Sequence, residues 1–177
     1  KMLESGKRSP MDVKVGDKLP TMVKGPMTAT GFIAYAQGWG GLYIRANKLA
    51  WKQLRKHPGL GILNRFGIPD VPERVHWEDE LAMQVGTPAD YDYGPERTSW
   101  MSHHLTNWMG DDGFLRHLSA EIRRHNPVGD TLYLNGEVTR VFQEDGAHYA
   151  EVTQTAVNQD GELSVRAKGS VRLPSRS

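Results

Sequence analysis

The sequence predicts an α+β domain on two observations. Helical periodicity dominates the first two thirds and strand alternation the last third, and no strand–helix–strand repeat runs through the chain. No internal repeat or low-complexity tract is visible.

The opening elements are short. Val13 to Val23, carrying Gly16-Asp17 and Pro20, reads as a turn followed by a strand. Thr28 or Thr30 is placed to cap a helix through Phe32, Ile33, Tyr35 and Ala36, which Gly38-Trp39-Gly40-Gly41 stops. A second amphipathic stretch runs from about Ala46 to Lys56, with Leu49, Ala50 and Leu54 on one side. Residues 57–95 read as a long, packed-down connection with five prolines: Pro58, Pro69, Pro72, Pro88 and Pro95. Irregular connections of that length are uncommon in compact domains and are often functional.

A long helix is expected over Glu96 to Met109, with Pro95 at its first turn and Gly110 at its end. Asp111-Asp112-Gly113 reads as a turn capping a short helical piece near Phe114 to His117. Strand patterns follow. Leu132 to Val141, Tyr149 to Val157 and Leu163 to Leu173 are separated by turn signals at Glu144-Asp145-Gly146 and Asn158-Gln159-Asp160-Gly161. Three strands joined this way form an antiparallel meander.

Composition narrows the class. With 177 residues, 38% hydrophobic and 24% charged, the chain suits one globular domain over 11–177, with 1–10 as a flexible lead-in. A net charge of +1 gives no bulk attraction to nucleic acid or membrane. No run reaches the roughly 18 apolar residues of a membrane helix, and no signal-peptide pattern opens the sequence. The expected location is cytoplasmic. The absence of cysteine excludes disulfides, thiolate nucleophiles and Cys-based zinc sites.

Several motifs together resemble the MaoC-like acyl-CoA dehydratases and (R)-specific enoyl-CoA hydratases. Asn126-Pro127-Val128-Gly129-Asp130-Thr131-Leu132 with Gly136-Glu137-Val138-Thr139 resembles the entry to that family's sheet. Asn158-Gln159-Asp160-Gly161-Glu162 resembles its late hairpin, and Val15-Gly16-Asp17-Lys18-Leu19-Pro20 with the Thr28-to-Gly38 helix resembles its opening. The resemblance covers most of the chain outside 57–92. It implies a single hot-dog domain, an antiparallel sheet wrapped around one long central helix. It also implies an acyl-CoA thioester as substrate with no further cofactor, and pairing into a homodimer or a heterodimer with a related hot-dog chain.

The sequence departs from that family at its acid–base pair. Family hydratases carry an Asp and a His in a segment like Gly-Asp-x-Asn-Pro-x-His after the first helix. Aligned here, the Asp position holds Trp39 and the His position Ile44, neither of which moves a proton. Three functions follow from the resemblance: a hydratase or dehydratase with noncanonical acid/base residues, a noncatalytic or substrate-binding subunit of a heteromeric hydratase, and an acyl-CoA thioesterase. Trp39 and Ile44 are then expected at the mouth of the substrate tunnel.

Other residues are candidates for the missing chemistry. On the long helix, Ser99, His103, Thr106 and Asn107 share the face opposite Trp100, Met101, Leu105 and Trp108. An enclosing sheet would oblige these polar groups to find partners or a pocket. His103 is the candidate base, with a structural, backbone-bonded histidine as the plainer reading. Asn107 would orient it or position the thioester oxygen, and His104 is assigned to packing. His76 with Glu78 or Asp79 offers an acid–base pair, or else only a charged loop or a helix start. Asp92 is a helix cap or a catalytic carboxylate. The amides near Arg97, Thr98 and Ser99 would polarise a thioester carbonyl. Arg124, within Arg123-Arg124-His125, would meet CoA phosphates or form a solvated strand edge. No metal is expected, because His103 and His104 point about 100° apart on a helix.

Overall fold

The computed structural model describes residues 12–41 and 43–174; the expected lead-in at 1–10 lies outside the described residues. The described chain forms two compact units. One comprises the residues up to Pro26, Gly94–Arg124 and those from Asp130 on. The other comprises Met27–Tyr93 and His125–Gly129.

The first unit is a five-stranded antiparallel sheet packed on one helix. Its strands are β1 (Lys18–Lys24), β4 (Phe114–Ile122), β5 (Leu132–Glu144), β6 (Ala147–Asn158) and β7 (Leu163–Leu173), in the order β1-β5-β6-β7-β4. The meander of β5, β6 and β7 follows the sequence pattern. The β5–β6 hairpin turns on Asp145 (φ 50°) and Gly146 (φ 76°), two left-handed residues whose twist matches that of the strands. Alternation then sets the faces: Ala150, Val152, Gln154, Ala156 and Asn158 are all buried on β6.

The helix α4 (Gly94–Met109) lies against this sheet. Its Leu105, Trp108 and Met109 join Leu19, Val138, Val152 and Val171 in one core cluster. Burying each such side chain stabilises by about 1.5–3 kcal/mol. Two glycines permit the close approach. A methyl on Gly169 of β7 would sit 2.3 Å from Leu105 Cδ1, and one on Gly136 of β5 would sit 3.4 Å from His104 Cε1.

Two expectations for this unit are corrected. Phe114 to His117 is not helical: Phe114–Ile122 is one strand, paired with β7 from Phe114↔Arg172 to Ile122↔Val165. The polar face of α4 is not enclosed either. Ser99, His103 and Asn107 are exposed, because the sheet covers only the opposite side of the helix.

The second unit holds α1 (Ala29–Gly38), α2 (Lys48–Lys56), the two-residue strands β2 (Ile62–Leu63) and β3 (Pro69–Asp70), and α3 (Asp79–Gln84). Thr28 caps α1 by accepting from the Gly31 amide, 3.1 Å away. Asn47 caps α2 through the Leu49 amide, 2.9 Å away, which sets the helix start at Lys48 and not Ala46. The connection expected to be irregular has its own order. It contains a 3₁₀ turn at Pro58–Leu60, the β2–β3 pair, a 3₁₀ helix at Pro72–His76 and α3. Prolines begin both 3₁₀ turns, where a missing N–H costs nothing. Among the described residues, no helix is long and apolar enough to cross a membrane.

Candidate active site

Some titratable side chains of the second unit meet at Tyr93, which is 5% exposed. The 3₁₀ helix supplies two of them. At three residues per turn, positions i and i+3 eclipse, so Glu73 and His76 stand in line on one side. Both meet Tyr93. Its hydroxyl donates to Glu73 Oε2 at 3.3 Å, and its ring lies 3.7 Å from that of His76, centroid to centroid. Tyr35 and Trp39, at the end of α1, approach the same ring at 6.1 and 6.4 Å.

The environment sets the protonation of this pair. His76 Nδ1 lies 2.6 Å from the carbonyl oxygen of Tyr91. A carbonyl only accepts, so Nδ1 carries the proton and Nε2 is the basic nitrogen of the ring. Burial pushes the Glu73 carboxyl above the usual carboxylate range, and the Tyr93 hydroxyl partly opposes that rise. A ring nitrogen that can take up a proton and a carboxyl inclined to keep its own are what acid–base chemistry needs.

Glu73 also lines a cavity of about 250 Å³. Tyr43, Ala50, Leu54, Leu60, Val71 and Pro72 form its walls, with Gln53 and Glu73 as the amide and the carboxyl among them. Glu73 therefore belongs to both the aromatic cluster and an apolar cavity.

The sequence-predicted residues distribute unevenly around this centre. His76 is in it, but with neither expected carboxylate. Glu78 is bound by the guanidinium of Arg74, through Nε at 2.8 Å and Nη2 at 2.5 Å. Asp79 accepts from the Asp90 amide at 3.0 Å. Asp92 is fully buried. Its carboxylate takes the amide of Asn126 at 3.1 Å and its Nδ2 at 2.6 Å, so it ties down the backbone beside Tyr93. Trp39 stands edge-on to Tyr93, which puts the aligned Asp position beside the cluster. Ile44 is in a tight turn between α1 and α2, its amide bonded to the Gly41 carbonyl; its neighbour Tyr43, not Ile44, lines the cavity.

In the first unit, His103 is engaged by its surroundings. Its Nδ1 lies 2.7 Å from Lys24 Nζ, an ammonium that only donates, and Asn107 bonds the ring as well. Burial and the Lys24 charge hold its pKa below the usual histidine value. The expected enclosed base is thus an exposed histidine whose Nδ1 lone pair is taken by a lysine.

The expected anion contacts are also corrected. Helix α4 begins two residues earlier than expected, at Gly94, so the amides of Thr98 and Ser99 lie inside the ladder, bonded to carbonyls four residues back. Ser99 Oγ donates to the Pro95 carbonyl at 3.0 Å. Arg97 is 3% exposed and its guanidinium donates to the Arg124 carbonyl. The charge of Arg124 itself is paired with Glu162. Among the described residues, no group of three or more His, Asp or Glu is placed to hold a metal ion.

His104, assigned to packing, has a more specific place. It is 2% exposed; its Nε2 donates to the Pro20 carbonyl at 2.9 Å and its Nδ1 accepts from Gln154 Nε2 at 2.9 Å. Glu73 was missed by sequence reasoning. The signal was a Glu and a His three apart behind Pro72, which only a 3₁₀ reading of that stretch brings together.

No protein-family model matches the sequence, and no curated protein matches it significantly. Solved structures do match in fold. The R-hydratase PhaJ1 from Pseudomonas aeruginosa aligns with a TM-score of 0.68 at 14% identity, covering 95% of this chain and 86% of that one. The (R)-hydratase from A. caviae, involved in PHA biosynthesis, aligns at 0.64 and 20% identity, covering 92% and 98%. A chain of the ChsH1–ChsH2 complex from Mycobacterium tuberculosis aligns at 0.63 and 18% identity, covering 90% and 98%. With its antiparallel sheet laid on one long helix, the chain has the hot-dog fold of the MaoC-like dehydratases and (R)-hydratases.

Proposed function

We propose that this chain is a hydro-lyase that adds water to, or removes it from, an acyl-CoA thioester at the α,β position, with His76 and Glu73 as its acid–base pair. The observation that carries this reading is the shared contact of both side chains with Tyr93, beside Trp39. The family's Asp position is lost from the sequence, and Glu73 and His76, both from the connection, contact the same tyrosine that Trp39 approaches.

In the hydration direction, His76 Nε2 takes a proton from water as the oxygen bonds to Cβ. Glu73 delivers a proton to Cα as the double bond is lost. Exchange with solvent then returns the proton from His76 to Glu73. Dehydration runs through the same groups in reverse. General acid–base catalysis typically contributes about 10²–10⁴-fold, so Glu73→Gln and His76→Asn should each lower turnover by about that factor. The test is mass analysis after incubation with an enoyl-CoA panel: gain of water in the unmodified protein and its loss in both variants. Release of free CoA would instead identify a thioesterase and overturn the reading.

A second reading is a noncatalytic or substrate-binding subunit of a heteromeric hydratase. It is favoured by Trp39 and Ile44 standing at the aligned catalytic positions, and by the likeness to a chain of a two-protein complex. Turnover that appears only on adding a second hot-dog chain, and survives Glu73→Gln, would select it. Either reading involves pairing. Light scattering should give a dimer, alone or with such a partner.

A further inference from the structure

We propose that Lys24 is an acylation site, where its amine takes the acyl group of a thioester with His103 as the base and Asn107 holding that base in place. The site lies within the sheet unit and does not depend on the chemistry proposed for Glu73 and His76.

Three observations carry it. The first is geometric. Lys24 closes β1 and His103 stands on the polar face of α4, with Lys24 Nζ 2.7 Å from His103 Nδ1. An ammonium only donates, so Nδ1 turns its lone pair toward the amine and can take a proton from it. The second is a third member. Asn107, one turn further along α4, bonds the His103 ring. A nucleophile within hydrogen-bond reach of a base, with the base oriented by a third group, is the arrangement that activates a weak nucleophile. The third is access. Lys24 is half-buried while His103 and Asn107 are exposed, so an acyl donor reaches the amine from solvent.

The surroundings favour the free amine. Burial, foremost, pulls the Lys24 pKa below the usual lysine value, and the charge of Glu96 opposes that only in part. His103 is lowered too, by burial and then by the Lys24 charge, against the Asn107 bond. Its neutral form therefore prevails above pH 7.

Lys24 Nζ, as the free amine, attacks the thioester carbonyl carbon. The C–N bond forms and the C–S bond breaks. His103 Nδ1 takes the proton that the nitrogen sheds and passes it to the departing thiolate. The products are an N-acyl-lysine and a free thiol, with nothing oxidised or reduced. A thioester suits the site because a thiol ionises at about 8.5, so its thiolate leaves without a second acid.

The experiment incubates the full chain with acetyl-CoA at pH 7.5 and follows each lysine by peptide mass mapping. The acetyl group has no double bond to hydrate, so the outcome is independent of the hydro-lyase reading. Lys24 should acetylate about a hundredfold faster than Lys52, an exposed lysine of α2, a factor at the low end of what a positioned base supplies. His103→Gln keeps an acceptor for Lys24 but no base, and should remove most of that advantage at an unchanged melting temperature. Equal rates at Lys24 and Lys52 in the unmodified protein overturn the assignment, whatever the fold of any variant. So does a Lys24 rate that persists in folded His103→Gln.

Discussion

The imidazole of His76 and the phenol ring of Tyr93 lie 3.7 Å apart, tilted by 31°, within a unit that also holds Glu73 against the tyrosine hydroxyl. Tyr93 thus meets one side chain by its ring and the other by its oxygen.

Tyr93→Phe separates these two duties. The ring contact survives and the bond to Glu73 is lost. That bond lowers the Glu73 pKa, so its removal raises it further. A general acid loses activity as it ionises, so the alkaline limb of kcat/KM assigned to Glu73 should move to higher pH, with turnover reduced by about tenfold or less. An unmoved limb would mean that Glu73 is not the acid.

Asp79 and Asp90 share a hydrogen bond between carboxyl groups. Burial, then the Asp79 hydrogen bond and charge, push Asp90 up to about 6. A carboxyl raised on folding contributes stability below its unfolded pKa, and that contribution is lost as pH rises through its folded one. The loss therefore falls between about pH 4 and 6. Asp90→Asn keeps a donor for Asp79 and removes the ionisation. Its melting temperature should exceed that of the unmodified protein at pH 7.5, and the difference should vanish near pH 4.5.

His104 has the opposite sign. Burial, foremost, depresses its pKa. Its neutral form is favoured in the folded state, so stability is intact above the unfolded histidine value of about 6.5 and falls as pH drops below it. His104→Ala leaves the Pro20 carbonyl and Gln154 short of a partner, at a cost of about 1–3 kcal/mol. Thermal melts should show that loss at pH 7.5 and a smaller one at pH 5.5.

Gly169→Ala tests the helix–sheet contact. The added methyl meets Leu105 Cδ1, a side chain with no exposed surface and hence little room to retreat. Overpacking of this kind costs about 1–3 kcal/mol, with each kcal/mol worth about 2–4 °C in a domain of this size. Combining it with Leu105→Ala should lose less stability than the two single losses together, a coupling that a double-mutant cycle in urea reads directly.

The sheet's meander was legible because its signals are local. Asp145-Gly146 marks a two-residue turn, and alternation along β7 gives its span, Leu163 to Leu173, residue for residue. Strand β4 was not legible in the same way. Phe114, Leu118 and Ile122 fall four apart, a helical spacing, and the segment is a strand because β7, some fifty positions later, pairs with it. The candidate site drew on signals of two kinds. His76 stood out by its chemistry, but Glu73 became its neighbour only through the 3₁₀ turn after Pro72. Asp92 read as a cap or a catalytic carboxylate from its place before the helix. Its bond to Asn126, on a distant stretch of chain, has no local sequence signal.

The pairing of β1 with β5 has a consequence during synthesis. Lys18 and its partner Glu137 are 119 positions apart. At about 5–20 residues per second, a ribosome takes roughly 6–24 s to supply the second after the first. For that interval the nascent β1 is an open edge. Lys18 and Lys24 at its ends and Pro20 within it discourage premature pairing with other chains. The same residues that begin the sheet thus protect the newborn chain while the centre around Tyr93 is still being made.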